Sequence, residues 1–141
     1  MNGQSQVLAL VMALLAPVSG FGSNWVKFPV TSVEGSSYFL DTDSLVKKGP
    51  FVRLWERLIL KKPSENPSLG PFQSALFYMS YDCGHKSAAL LETRFYKDSD
   101  SRDQIAHRIH THPKYMYVAP DSPPEMKLNE VCKLVKGPRH P

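Results

Sequence analysis

Three histidines near the end of the chain have the residue type and spacing of a metal site. His107, His110 and His112 lie close together in the sequence, and imidazole is a common ligand of zinc and copper. On a strand, His110 and His112 would point to one face, and His85 or an acidic side chain would complete the ligand set. The same histidines also fit a solvated loop before Pro113. We favour the loop, because the chain has no metal motif of the HExxH type.

Other arrangements that could support catalysis are weaker. Asp41, Asp43 and Asp82 are candidate paired carboxylates, but aspartates such as the first two commonly cap a turn. Ser44 and Ser74 lack the context of a nucleophile elbow, and the chain has no glycine-rich phosphate loop. The sequence therefore predicts a protein that is not an enzyme, with no catalytic residue, no metal and no cofactor.

The two cysteines, Cys83 and Cys132, indicate a different chemistry, which is oxidation to a disulfide. They are the only cysteines in the chain. An even number of cysteines in an exported protein predicts a disulfide, because thiols oxidise outside the cytosol. Two buried free thiols are the alternative, so the choice depends on whether the chain is exported.

The N-terminus indicates export. The apolar run from Val7 to Ala16 is shorter than the ~20 residues of a membrane-spanning helix, and small residues follow it at Val18-Ser19-Gly20. These features predict a signal peptide over residues 1–20 and a mature chain that begins near Phe21. The segment before the run has no Lys or Arg, and a retained membrane anchor is the alternative. Since no cysteine ends the run, we expect no lipid anchor and no stable membrane insertion after processing.

Length and charge restrict the class of protein and its partners. The 141 residues include 17 Lys and Arg against 13 Asp and Glu, a net charge of +4. This mild basic excess favours anionic partners, or simply keeps the protein soluble. We expect no nucleic acid partner, because the chain is predicted to be exported and has no nucleic-acid motif. After removal of the signal peptide, about 120 residues remain, enough for a single domain over 21–141.

Alternating apolar and polar residues predict an antiparallel sheet. The predicted strands are 24–30, 37–41, 51–60, 72–83 and 87–96. Asp41–Ser44 is predicted to form a turn or a single helical turn, and the prolines and polar residues of Lys61–Pro71 predict a long loop. The segment Ile105–His110 is too weakly periodic to assign as a strand.

The last segment of the chain predicts a helix. Ser122-Pro123-Pro124-Glu125 fits a capping box with prolines in the first turn, and Gly137-Pro138 is predicted to end the helix. Apolar residues follow the spacing of one helical stripe. They are Leu128, Val131, Cys132 and Val135.

The alternation within the strands predicts which face of the sheet this helix covers. In 72–83 the odd-numbered residues are the more apolar set, and Cys83 is one of them. In 87–96 the odd residues are again predicted to face the helix and the even residues to face away. The inward set is Ala89, Leu91 and Phe95, and the outward set is Glu92 and Arg94. A disulfide between Cys83 and Cys132 would then link the helix to the sheet.

The opposite face of the sheet is the predicted binding surface. Along 51–60 the even residues suit the core, with Glu56 as an exception, and the odd residues face the other way. Arginine and tryptophan are enriched at binding hot spots. The predicted binding residues are Arg53, Trp55, Arg57, Tyr78 and Arg94. The alternative is that Trp55 packs beneath the Lys61–Pro71 loop and the arginines are ordinary surface residues.

A series of short motifs resembles the surface-adhesin protein E family. The motifs occur in order between residues 25 and 134, together with the paired cysteines. They are Trp25-Val26, Tyr38-Phe39-Leu40-Asp41, Ser44-Leu45, Gly49, Val52-Arg53-Leu54-Trp55, Ser74, Tyr81-Asp82-Cys83, Ala119-Pro120-Asp121-Ser122 and Val131-Cys132.

This resemblance implies an α+β fold, in which an antiparallel sheet of about six strands is tied to a C-terminal α-helix packed on one face. It also implies a bacterial surface protein that binds extracellular matrix or serum proteins and can form a homodimer. We therefore expect an exported, non-catalytic, adhesin-like binding module that is located in the periplasm, at the cell surface or outside the cell. The alternative function is a periplasmic metal-binding or enzymatic protein that uses His107, His110 and His112.

Overall fold

A computed structural model of the chain describes residues 23–29 and 34–136. The predicted signal peptide and the predicted end of the helix at Gly137-Pro138 lie outside these residues. The described elements are β1 (Trp25–Phe28), β2 (Ser37–Asp41), a 3₁₀ turn (Thr42–Ser44), β3 (Val46–Lys48), β4 (Phe51–Asn66), β5 (Gly70–Asp82), β6 (Ser87–Tyr96), β7 (Gln104–Ile109), β8 (Met116–Tyr117) and α1 (Pro123–Val135).

The strands form one antiparallel sheet, and α1 covers one of its faces. Six strands follow the order β1-β2-β4-β5-β6-β7, while the short β3 pairs with β4 and the short β8 pairs with β6. The predicted α+β class is confirmed, with eight strands instead of about six. The segment Ile105–His110, left unassigned from the sequence, contributes to β7, which pairs with β6.

The prediction of a long loop over Lys61–Pro71 is wrong, because most of this segment belongs to two strands. Strand β4 continues to Asn66 and β5 begins at Gly70, so only residues 67–69 turn the chain. The pairing of β4 with β5 is interrupted between Ile59 and Ser64, which accommodates Pro63, a residue without the amide that a regular ladder needs. Gly70 has φ of +75°, a conformation that glycine adopts without steric cost.

Helix α1 begins as predicted and packs through its apolar stripe. The Ser122 hydroxyl accepts a hydrogen bond from the Glu125 amide at 3.3 Å, and the prolines occupy the first two helical positions. Leu128 and Val131 are buried against the sheet. No helix within residues 23–29 and 34–136 is long and apolar enough to cross a membrane.

The hydrophobic core lies between α1 and the sheet. It combines even residues of β4 with odd residues at the end of β5. Its buried members are Phe28, Leu40, Val52, Leu54, Tyr81, Val118, Leu128 and Val131. At its edge Cys83 and Cys132 form a disulfide that links residues 49 positions apart, with Cα atoms 6.0 Å from each other. The predicted disulfide between helix and sheet is confirmed.

Glu56, the exception in the apolar pattern of β4, is fully buried and anchors α1. The hydroxyls of Tyr38 and Tyr81 donate to its two carboxylate oxygens, and the Lys127 ammonium of α1 donates to one of them at 2.8 Å. Burial raises the pKa of both tyrosines, and the Glu56 charge raises it further. The Lys127 ammonium also lies 4.6 Å from the centre of the Tyr38 ring. This one side chain of α1 therefore contacts residues of two strands, Tyr38 in β2 and Glu56 in β4.

The predicted alternation in β6 is correct only for its second half. Tyr78 pairs with Glu92 and Met79 pairs with Leu90, which leaves Leu91 as an unpaired bulge residue. A bulge reverses the alternation, because one extra residue shifts every following side chain to the other face. Phe95 therefore faces the helix side as predicted, but Ala89, opposite Ser80, faces the other side.

Candidate binding surface

The register of the strands places all five predicted binding residues on the face opposite α1. Residues directly opposite each other in an antiparallel pair point to the same face. Arg53, Trp55 and Arg57 of β4 lie opposite Ser80, Tyr78 and Leu76 of β5, and Glu92 and Arg94 of β6 follow in the same rows. We call this side of the sheet the open face, with Arg53, Trp55, Arg57, Tyr78 and Arg94 at its centre. Each of the five is half-buried.

Two segments cover the ends of the open face and leave its centre accessible. At one end the Tyr115 ring stacks on Phe51 at 4.9 Å, and its hydroxyl is 2.8 Å from that of Ser80. At the other end Ser74 donates a hydrogen bond to the Asp98 carbonyl at 2.6 Å. Ser74 and Ser80 are consequently buried, although they belong to the open side of the sheet.

Trp55 lies at the centre of the open face and is held by two neighbours. Its ring stacks on Tyr78 with a centroid distance of 5.0 Å, and the Arg94 guanidinium lies 5.1 Å from its centroid. The turn that follows Asn66 is on the order of 35 Å further along the strand. Trp55 therefore does not pack beneath the connection between β4 and β5, which was the alternative to a binding role.

Arg57 is positioned by two aromatic residues that the sequence analysis missed. Its guanidinium lies 4.8 Å from the centre of Trp25 and 5.3 Å from that of Phe39. Phe39 is directly opposite Arg57 in the register, and Trp25 comes from β1. Alternation within one strand gives no information about the faces of its neighbours, so the position of Trp25 and Phe39 beside Arg57 depends on the pairing of strands and could not be read from a local signal.

Arg53 and Arg57 have no carboxylate partner among the described residues. The salt bridges of residues 23–29 and 34–136 include neither of these arginines. The Nε atoms of both are buried, and no described residue provides them with a hydrogen-bond acceptor. Their guanidinium groups thus keep unused donors, which in this geometry suit a carboxylate or another flat anion.

Glu92 is the carboxylate at the centre of the open face, and it is already engaged. The same oxygen accepts from Arg94 at 2.8 Å and contacts His107 Nε2 at 2.7 Å. Partial burial raises the pKa of Glu92, but the hydrogen bonds from Arg94 and His107 outweigh this and hold the pKa below its usual value. Since Glu92 is neutralised by its neighbours, Arg53 and Arg57 give the centre of the face a basic character.

The histidine cluster is divided by the fold. His107 lies in β7 opposite Arg94 and belongs to the open face, whereas β7 ends at Ile109, before His110 and His112. The strand geometry that would point His110 and His112 to one face is therefore not formed. In the described part of the chain, no three His, Cys, Asp or Glu residues are grouped to hold a metal ion.

Comparison with known proteins identifies the family. The profile described as surface-adhesin protein E matches residues 25–133, which is most of the chain. Two structures of Haemophilus influenzae protein E have a TM-score of 0.52 and 17% identity; they cover 77% and 78% of this chain, and 96% and 94% of their own chains. A selenomethionine form of the same protein has a TM-score of 0.52 and 14% identity, and the match covers 68% of this chain and 78% of that one. No curated protein gives a significant sequence match. The chain belongs to the surface-adhesin protein E family.

Proposed function

We propose that this protein is an exported, non-catalytic, adhesin-like module that binds host or other extracellular proteins at the bacterial surface through the open face. The observation that carries the proposal is the centre of that face, where two arginines without a carboxylate partner in the described part of the chain lie beside aromatic rings. Membership of a surface-adhesin family supports an exported or cell-surface location. The partner that fits this chemistry is a protein with an acidic and partly apolar surface.

The arrangement of Trp55 suits a binding surface. Its stacking on Tyr78 and its contact with Arg94 hold the ring in one orientation before a partner arrives. Pre-ordering reduces the entropy that is lost on association, so more of the contact energy contributes to affinity. A tryptophan beside arginines also combines large contact area with charged hydrogen-bond donors.

Binding kinetics test the roles of these residues. The double substitution Arg53→Glu and Arg57→Glu should slow association about tenfold at low salt and less at high salt, because the reversed charges no longer attract an acidic partner and salt screens this attraction. Trp55→Ala should speed dissociation about 30-fold, equivalent to a hot-spot loss of ~2 kcal/mol. The measurement is surface plasmon resonance against immobilised matrix and serum proteins.

Arg108→Glu is the matched control for the arginine substitutions. Arg108 lies opposite Thr93 in β7 and β6, so it projects from the helix side of the sheet and is exposed there. It should leave both rate constants within about twofold of the wild-type values. If the open-face variants retain wild-type kinetics toward every protein that the wild type binds, the face is not the binding site.

We further propose that residues 1–20 are a signal peptide that is removed, so that residues 21–141 form the mature domain without a lipid. The support is the sequence pattern at Val18-Ser19-Gly20. N-terminal sequencing and intact mass of the exported protein should give a first residue at or near Phe21 and an unmodified mass. A protein that retains the apolar run from Val7 to Ala16 would instead be membrane-anchored.

A further inference from the structure

The register aligns one row of open-face residues across six neighbouring strands. Each member lies directly opposite the next in the antiparallel pairs. The row is Lys27, Phe39, Arg57, Leu76, Arg94 and His107. We call it the cation row, because basic side chains occupy four of its positions and apolar side chains separate the first three of them.

The spacing of the cation row is regular. Neighbouring strands of a sheet lie about 4.8 Å apart, so Lys27, Arg57 and Arg94, which occupy every second strand, repeat at intervals of about 10 Å. Lys27 is exposed and Arg57 has no carboxylate partner among the described residues. Arg94 and His107 already share Glu92, so Lys27 and Arg57, about 10 Å apart across the strands, are the positions of the row that offer a positive charge to a partner.

A second row runs parallel to the first on the same face. The second row is displaced from the cation row by two residues along each strand, and its members are Trp25, Asp41, Trp55, Tyr78, Glu92 and Ile109. Two residues of a strand correspond to about 6.6 Å. The two carboxylates of the second row are already engaged, Asp41 by backbone amides and Glu92 by Arg94 and His107. Three aromatic side chains and the aliphatic Ile109, which is 63% exposed, provide its apolar area, and we call it the aromatic row.

We propose that the partner segment is an extended, proline-rich acidic polypeptide that lies across the strands, with acidic side chains on the cation row and prolines on the aromatic row. The proposal rests on the proposed binding function of the open face and specifies the chemistry of its partner. A polyproline II helix repeats the same face every three residues, which is about 9.3 Å at a rise of 3.1 Å per residue. This interval is close to the ~10 Å between alternate strands, whereas an extended β-strand repeats a face every ~6.6 Å.

The chemistry of the two rows agrees with this geometry. Polyproline II segments dock on surfaces rich in aromatic residues and lose little entropy, because the conformation is largely formed before binding. Guanidinium groups with free donors favour carboxylates at the charged positions. The open face crosses the whole sheet, so it can contact more than one turn of such a segment.

A set of fluorescent peptides tests the proposal with the mature protein at low salt. The first peptide has four Glu-Pro-Pro repeats, the second has the same composition with all glutamates in one block, and the third has Lys-Pro-Pro repeats. A fourth is an alanine-rich helical peptide that carries glutamate at every seventh residue, about 10.5 Å apart. Anisotropy should show the first peptide binding at least tenfold more tightly than the other three, and the affinity should fall with added salt.

Variants of the cation row and a control outside it complete the test. Lys27→Gln and Arg57→Gln should each weaken binding of the repeat peptide severalfold, while Arg108→Gln on the other face should not. Lys27 is exposed at the sheet edge, so its substitution does not disturb the core. Equal affinity for the block or helical peptide would overturn the proposal, and so would preference for a sulfated polysaccharide over the repeat peptide. If matrix proteins bind the open face while the repeat peptide does not, this inference fails and the proposed function stands.

Discussion

Replacement of Lys127 by methionine should lower the free energy of unfolding by about 3 kcal/mol, the lower part of the range for a broken buried ion pair. Glu56 is fully buried, and Lys127 is the cation that contacts it, at 2.8 Å. In Lys127→Met the Glu56 carboxylate keeps its two tyrosine donors but loses the compensating charge. Desolvation of an unpaired carboxylate is costly, and this cost falls entirely on the folded state.

Urea denaturation followed by tryptophan fluorescence measures this effect. Lys133→Met on the same helix is the matched control, because Lys133 is exposed and its contact with Glu130 is 3.8 Å long; it should change stability by less than about 0.5 kcal/mol. The double variant Glu56→Gln with Lys127→Met should recover at least ~1 kcal/mol relative to Lys127→Met alone, since it removes the buried charge together with its partner. A loss below 1 kcal/mol in Lys127→Met, or no recovery in the double variant, would contradict the anchoring role of this ion pair.

Loss of the disulfide should have an effect of similar size. Cys83 and Cys132 are 49 positions apart in the sequence. For a loop of this length the chain-entropy model gives about 4 kcal/mol of stabilisation. Cys132→Ala together with Cys83→Ala should therefore destabilise the domain by roughly 2–5 kcal/mol, the usual range for a small exported domain. Reductant should lower the melting temperature of the wild type and leave that of the double alanine variant unchanged.

Non-reducing peptide mass mapping provides the direct check. It should find one intramolecular bridge between the peptides that contain Cys83 and Cys132. Two free thiols, a bridge between two chains, or a wild-type melting temperature that does not respond to reductant would be inconsistent with the structure. Together, Lys127 and Cys132 hold α1 on one side of the sheet, so the side that carries the proposed binding residues remains uncovered.

Local patterns in the sequence were enough to predict the main elements and the composition of one face. Strand β6, the start of α1 and its serine cap follow from alternation and capping chemistry, which involve only neighbouring residues. The placement of Arg53, Trp55 and Arg57 on one side of a strand has the same origin, because alternation along a strand needs no knowledge of its partners. The disulfide was predictable from two cysteines in a chain expected to be exported.

The sequence did not predict features that depend on pairing between distant segments. Pro63 and its neighbours suggested a loop, yet the irregularity between Ile59 and Ser64 allows β4 and β5 to continue as a long hairpin. The bulge at Leu91 reversed the expected orientation of Ala89. Both are irregularities of the ladder, and a one-residue shift in register changes which face a side chain occupies.

The class of fold, five of the strands, the C-terminal helix and the face that carries Arg53, Trp55 and Arg57 were predictable from the sequence, because they follow from periodicity within single segments. Three contacts became visible only in the folded protein: Lys127 binds Glu56, Arg57 lies beside Trp25 and Phe39, and His107 contacts Glu92 and not the other histidines. Each of these contacts joins residues at least 15 positions apart. Their geometry depends on strand order and register, which the packing of the whole sheet sets and which no single segment encodes.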